Sequence, residues 1–183
     1  VFLKNSEGMY IGGTYEEYYQ SLYYASLENG EKEKIAGGLT EIIKMSKDEQ
    51  AVVFRKANAE GTAFDYFYAN QAGTEGQLIA ENVTVLDDED HKKVSQFEIN
   101  DDFTKAGFIQ GYDLANESGA LFVVSITNGV VGSDKKISDT AYSCNITPDG
   151  QTIRYADNYD IKWNLVTLNA YTGEQSKVLA QEV

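Results

Sequence analysis

Histidine and cysteine are the scarcest chemical resources of this chain. Its 183 residues contain one of each, His91 and Cys144. A Ser-His-Asp or Cys-His mechanism needs an imidazole held beside a nucleophile. His91 instead falls in a run of charge, Asp87-Asp88-Glu89-Asp90-His91-Lys92-Lys93, and no Gly-x-Ser-x-Gly elbow occurs in the sequence. His91 therefore reads as a solvated loop histidine, and no catalytic residue is assigned. Cys144 reads as a small buried hydrophobe. Zinc sites need several Cys and His, which this chain lacks. Calcium takes oxygen ligands, so Asp87, Asp88 and Asp90 are the candidate metal ligands, with Asp157, Asn158 and Asp160 a second acidic group. Neither group has EF-hand spacing. No Gly-rich phosphate loop is present, and Ca2+ is the one cofactor the sequence leaves open.

Tyrosine is the residue type that points to recognition. There are thirteen Tyr against one Trp, and Tyr combines a packing ring with a hydroxyl that reaches water. Tyr15, Tyr18 and Tyr19 crowd one short segment with Glu16 and Glu17 between them. Tyr112 and Tyr159 fall in segments that read as equivalent connections further along. These five tyrosines are the predicted binding residues for a protein, peptide or glycan.

The elements that position them form a repeat. Short runs of Tyr, Phe, Val, Ile and Thr alternate with Gly, Asn and Asp, the pattern of short strands and tight turns. The segments beginning at Leu22, Tyr66, Leu121 and Leu165 recur about 44, 55 and 44 residues apart, the period of a four-stranded propeller blade. The glycines that follow them, Gly30, Gly73, Gly129 and Gly173, repeat that spacing. A third series marks the turn before the second strand: Ser6-Glu7-Gly8, Ser46-Lys47-Asp48-Glu49, Asn100-Asp101-Asp102 and Thr147-Pro148-Asp149-Gly150. The longer middle interval is accounted for by the charged run at 87–93, read as an insertion between blades. The predicted fold is all-β: one propeller-like domain over 1–183, with four blades of about four antiparallel strands in units near 1–38, 39–93, 94–140 and 141–183. A β-sandwich and half of a larger propeller are the alternatives. The connections between second and third strands are expected to share one face, where a ligand site would assemble.

The last unit resembles the WD40-like repeat of the TolB propeller group. Thr147-Pro148-Asp149-Gly150 leads into Thr152-Ile153-Arg154-Tyr155, and Leu165-Val166-Thr167-Leu168 leads into the Thr172-Gly173-Glu174 turn. The likeness is good over about residues 141–183 and weakens upstream, where Pro-Asp-Gly is lost. The same repeat is found in propellers of prolyl-oligopeptidase-type peptidases and in bacterial surface proteins. The resemblance implies a fold and an extracytoplasmic location at the cell surface or in the envelope, and it implies no single function.

Net charge is −14, from 15 basic and 29 acidic residues, which argues against nucleic-acid and anionic-membrane partners. No apolar run has the length of a membrane span, so no membrane insertion by this segment is expected. The expected function is a non-enzymatic binding or scaffolding propeller. The alternative is the accessory propeller of a hydrolase or peptidase whose catalytic domain lies outside this chain. An open ring would leave sheet edges that favour self-association.

Overall fold

The computed structural model describes residues 2–4, 8–12, 20–39, 41–47, 50–60, 62–70, 76–87, 93–157, 164–169 and 175–180. Every regular element among them is a β-strand, and no helix is long and apolar enough to cross a membrane. Of the predicted site residues, Tyr15, Tyr18, Tyr19, Tyr159, Asp88, Asp90 and His91 lie outside the described residues. The chain divides into two compact units, Val1–Ala80 and Glu81–Val183.

The first unit opens with a four-stranded antiparallel meander: β1 (Phe2–Lys4), β2 (Gly8–Gly12), β3 (Gln20–Ser26) and β4 (Lys32–Leu39). A second meander follows in β5 (Glu41–Met45), β6 (Ala51–Ala57), β7 (Ala63–Asn70) and the start of β8 (Gln77–Asp87). Their facing surfaces make one core. Leu22, Ile35 and Ala36 come from the first meander, and Val52, Phe54 and Ala69 from the second. Strand period explains the selection, because alternate residues of β6 point to one face. Phe54 stacks on Phe67 with centroids 5.4 Å apart. A Cβ at Gly76 would stand 2.6 Å from the Phe54 ring, so only glycine lets the chain pass there.

In the second unit, β8 turns back on β9 (Lys93–Ser95), pairing Asp87 with Lys93 and Val85 with Ser95. The charged segment read as an insertion therefore begins and ends in a hairpin. Then come β10 (Phe97–Ile99), β11 (Lys105–Asp113), β12 (Ser118–Thr127), β13 (Val130–Ile146), β14 (Thr152–Asp157), β15 (Asn164–Asn169) and β16 (Gln175–Ala180), all antiparallel to their neighbours. β13 serves two meanders. It pairs with β12 through Val130–Ala141 and with β14 through Ala141–Ile146, so Ala141 faces both partners. Ile109, Tyr112, Leu121 and Val123 pack against Ala141, Ile146, Ile153 and Tyr155 to form the core. The segments read as third strands fall in β3, β7, β12 and β15.

One turn device recurs before the second strand of a meander. The N–H of Ser46 donates to Ala51 O at 2.9 Å, and the Ala51 N–H donates to Ser46 Oγ at 3.0 Å. Asn100 closes on Lys105 in the same way, at 3.1 and 2.8 Å, and Thr147 on Thr152 at 3.0 Å both ways. Asn100 also takes the Thr104 N–H at 2.9 Å and donates to Thr104 Oγ1 at 3.0 Å. Asn58 repeats this arrangement with Thr62 and Ala63 between β6 and β7. A side-chain acceptor satisfies an N–H that the turn would otherwise strand.

The Pro-Asp-Gly of the last repeat adds a second layer. Thr147 Oγ1 donates to Asp149 Oδ1 at 2.6 Å, and the Gln151 N–H donates to the same oxygen at 3.0 Å. The Thr147 hydrogen bond and then the Gln151 N–H hold the Asp149 carboxyl below its ordinary value. Gly150 has φ +67°, and a Cβ there would lie 2.7 Å from Asn100 Nδ2. Pro148 O accepts from the Asp101 N–H at 3.3 Å and from Asn100 Nδ2 at 3.4 Å. This turn thus docks on the preceding one, and glycine is required both by φ and by space. Gly150→Ala is expected to lower stability by about 1–3 kcal/mol. Asn100→Ala, which strands two N–H groups, is expected to do so by a similar amount, about 1–3 kcal/mol. Urea unfolding of the two variants and the double variant checks both values. Coupling between the substitutions is expected because the residues touch.

Candidate functional site

The register of each meander aligns equivalent positions. Arg55 lies opposite Tyr66, Ile109 opposite Leu121, and Ala156 opposite Leu165. Arg55, Ile109 and Ala156 stand the same number of residues after the turn acceptors Ser46, Asn100 and Thr147. Two of these positions are apolar and buried, as the fold requires. The third carries a guanidinium that is equally buried, with 9% of its side chain exposed. Lys105, at a turn-closing position and bonded to Ser125 Oγ, is the other buried cation among the described residues; Arg55 differs in standing where the aligned rungs carry aliphatic groups.

Arg55 is held by Glu41, Tyr66 and Phe64, all of its own unit. Glu41 sits across from it on β5, and Tyr66 across from it on β7. Nη2 donates to Glu41 Oε2, and Nη1 donates to the Tyr66 hydroxyl at 3.4 Å. The guanidinium lies over the Phe64 ring, 4.1 Å from its centroid, a cation–π contact. Nε is buried and has no hydrogen-bond partner among the described residues. Glu41 is the open side of the cluster, with 52% of its side chain exposed. On the other face of β6, Lys56 places its ammonium 4.8 Å from the Phe67 ring. The row Glu41–Arg55–Tyr66 lies toward the end of the meander from which residues 58–62 connect β6 to β7. Chemically it can bind an anion through a planar two-donor fork, or hold a partner's backbone carbonyl.

The sequence-predicted residues fall out differently. Tyr112 was expected in a connection, exposed for binding. The structure places it in β11, 8% exposed, with its ring in the core and 6.2 Å from the Tyr142 ring. The cause is a register shift between Gln110 and Asp113 around Gly111, whose φ is +63°. The bulge inverts the alternation, so Tyr112 joins Ile109 inside the core. The connection itself is residues 114–117. There the Ala115 N–H donates to Asp113 Oδ1 at 2.8 Å, and Leu114 is 70% exposed. Asp87 is placed by its backbone alone, paired with Lys93. Among the described residues no three His, Cys, Asp or Glu side chains come together as a metal site. Arg55 was missed by sequence reasoning, although aligning the repeats on Ser46, Asn100 and Thr147 would have exposed it.

Cys144 packs partly buried against the core of the second unit. Burial, and then the charge of Glu98, push its thiol from 9.0 up to about 12. A protonated thiol is a poor nucleophile.

These environments set three expected outcomes. Arg55→Met, which restores an apolar group to an apolar rung, is expected to leave stability unchanged or raise it by about 1–3 kcal/mol. Glu41→Ala, which strands the guanidinium, is expected to lower it by about 1–2 kcal/mol. Chemical denaturation of both variants is the check. For Cys144, the folded chain keeps a proton that the unfolded chain loses once the pH passes 9.0, so its contribution to stability is complete below pH 9.0 and lost as the pH rises to about 12. Subtracting the stability of Cys144→Ala from that of the unaltered chain across this range should leave that decline.

No family model matches the sequence, and no curated protein matches it. Solved structures do match. The β-propeller domain of the trilobed protease from Pyrococcus furiosus, described as having an open velcro topology, gives a TM-score of 0.56 at 14% identity, over 99% of this chain and 56% of that one. The crystal structure of a eukaryotic initiation factor gives 0.59 at 12% identity, over 99% of this chain and 43% of that one. TolB from Acinetobacter baumannii gives 0.46 at 15% identity, over 93% of this chain and 40% of that one. The chain spans about half the length of the structures it matches. Successive antiparallel meanders of about four strands, together with the match to the Pyrococcus domain, give this chain a β-propeller fold.

Proposed function

We propose that the chain is a non-enzymatic binding module, a propeller segment that engages a protein or peptide at the cell surface or in the envelope. One observation carries this reading. The Glu41–Arg55–Tyr66 row places a charged, hydrogen-bonding group in a rung that is apolar in the second unit's repeats. A fold does not need such a group for stability, since replacing buried charge by apolar packing is commonly neutral or favourable. Recognition surfaces do use it, and Arg and Tyr are the residues most enriched at binding hot spots. The predicted tyrosines Tyr15, Tyr18, Tyr19 and Tyr159 extend the proposed binding surface, and glycans remain a partner class for them. Ca2+ at Asp87, Asp88 and Asp90 is a secondary element of the proposal. The envelope location rests on the repeat's resemblance to the TolB group.

The second reading is an accessory propeller of a peptidase. The Pyrococcus relative is the propeller domain of a protease, and at 14% identity the likeness supports the fold alone. The two readings differ in what lies beside this segment in the full reading frame.

Binding is tested with the full chain on peptide and glycan arrays, followed by calorimetric titration of the ligands retained. Saturable binding to a restricted peptide set is expected, with no turnover of peptidase or glycosidase substrates. Turnover lost on substitution of a single Asp or Glu would overturn the non-enzymatic reading. Absence of any saturable ligand would overturn the binding reading.

A further inference from the structure

The Arg55 guanidinium presents a fork that is half used. Nε and Nη2 share one edge of the group, the edge that receives a carboxylate side-on through two parallel hydrogen bonds. Nη2 donates to Glu41 Oε2, whereas Nε is buried and has no partner among the described residues. Phe64 covers one plane of the group, and Tyr66 occupies the far edge through Nη1. Nη2 is therefore the engaged donor of that edge and Nε the unengaged one, and the carboxylate on Nη2 belongs to Glu41, whose side chain is 52% exposed.

We propose that this edge of Arg55 is a receptor for a carboxylate of the partner, and that Glu41 is its resident placeholder, displaced when the partner binds. The inference rests on the binding-module reading and names the chemistry of its ligand. Three observations point the same way. The guanidinium is fixed by Phe64 and Tyr66 independently of Glu41, so it stays oriented when Glu41 leaves. Glu41 occupies one donor of the two, so a carboxylate that takes both gains a charge-assisted hydrogen bond that the free protein lacks. The departing Glu41 is already half in water, so its carboxylate completes its hydration on release with little rearrangement.

The acidity of the chain narrows the ligand further. A net charge of −14 repels small anions at long range. A carboxylate carried on a peptide gains the contacts of the rest of the partner, so it binds more tightly than the same carboxylate free in solution, which fills the fork only at high concentration. Its source is either a C-terminal carboxylate or an Asp or Glu side chain, and the same fork serves both.

The test follows the Nε–H signal of Arg55 by NMR in the full chain. The probes are N-acetylglycine, its neutral amide, and N-acetylaspartate diamide, which carries only a side-chain carboxylate. In the unaltered chain, N-acetylglycine or the aspartate probe is expected to shift the Arg55 Nε–H signal before other arginine signals move, and the neutral amide is not. Glu41→Gln, which removes the competing charge at nearly constant shape, is expected to tighten binding of the carboxylate probe at least tenfold. Preference between the two carboxylate probes assigns the source. No shift of Arg55 in the unaltered chain, or equal response to the neutral amide, overturns the proposal without reference to any variant. So does an unchanged affinity in Glu41→Gln. A peptide ligand from the arrays whose affinity survives Arg55→Met would overturn the carboxylate receptor and leave the binding module standing.

Discussion

The closure of the turn before the second strand, seen in the three meanders where its closing pair is described, is the constraint on which the rest depends. Ser46, Asn100 and Thr147 each exchange hydrogen bonds with the residue five positions on. That closure fixes where the second strand starts against the first. Because side chains alternate with period two, a slip of one residue would turn every core side chain outward. Val52, Ala106 and Ile153 all follow the closing residue directly, and all are buried. The same closure carries through to the rung that holds Arg55, Ile109 and Ala156. The turn is therefore not decoration between strands; it sets which residues can become core and which can become site.

This explains why the fold was legible and where legibility stopped. The closure needs a short side-chain acceptor, and Ser, Asn and Thr all supply one. The repeat therefore survives in rhythm while its letters change. Pro-Asp-Gly is conspicuous in the last unit because that turn also packs on Asn100, which demands a glycine at 150. The turn beginning at Asn100 reaches the same closure through its amide without that sequence. Strand order and approximate spacing follow from turns of this kind. The continuity of β13 does not, because nothing in residues 130–146 marks the handover from one meander to the next.

Site residues were less legible, for a reason visible at Tyr112. Reading faces from alternation assumes an unbroken pleat. Gly111 breaks it with a positive φ, and parity beyond the bulge is reversed. A glycine inside a strand signals such a break, but not the direction in which the next ring will turn. Arg55 fails in the opposite way. Its sequence, Val52-Val53-Phe54-Arg55-Lys56, reads as an apolar strand ending in charge, the usual exit to solvent. Only the cross-strand neighbours Glu41, Phe64 and Tyr66 make it an interior group, and those lie on two strands, one on each side of β6.

The buried guanidinium is consistent with the repeat only if something offsets its desolvation. Glu41, Tyr66 and Phe64 offset part of it, through one ion pair, one hydrogen bond and one ring face. The uncompensated remainder is concentrated on a single atom, Nε. A repeat protein can remove such a remainder by substituting an aliphatic residue, as Ile109 and Ala156 show at the aligned rungs. At Arg55, therefore, packing alone does not account for the residue. What the described structure leaves there is one unused donor, Nε, in a guanidinium whose other two nitrogens are bonded to Glu41 and Tyr66.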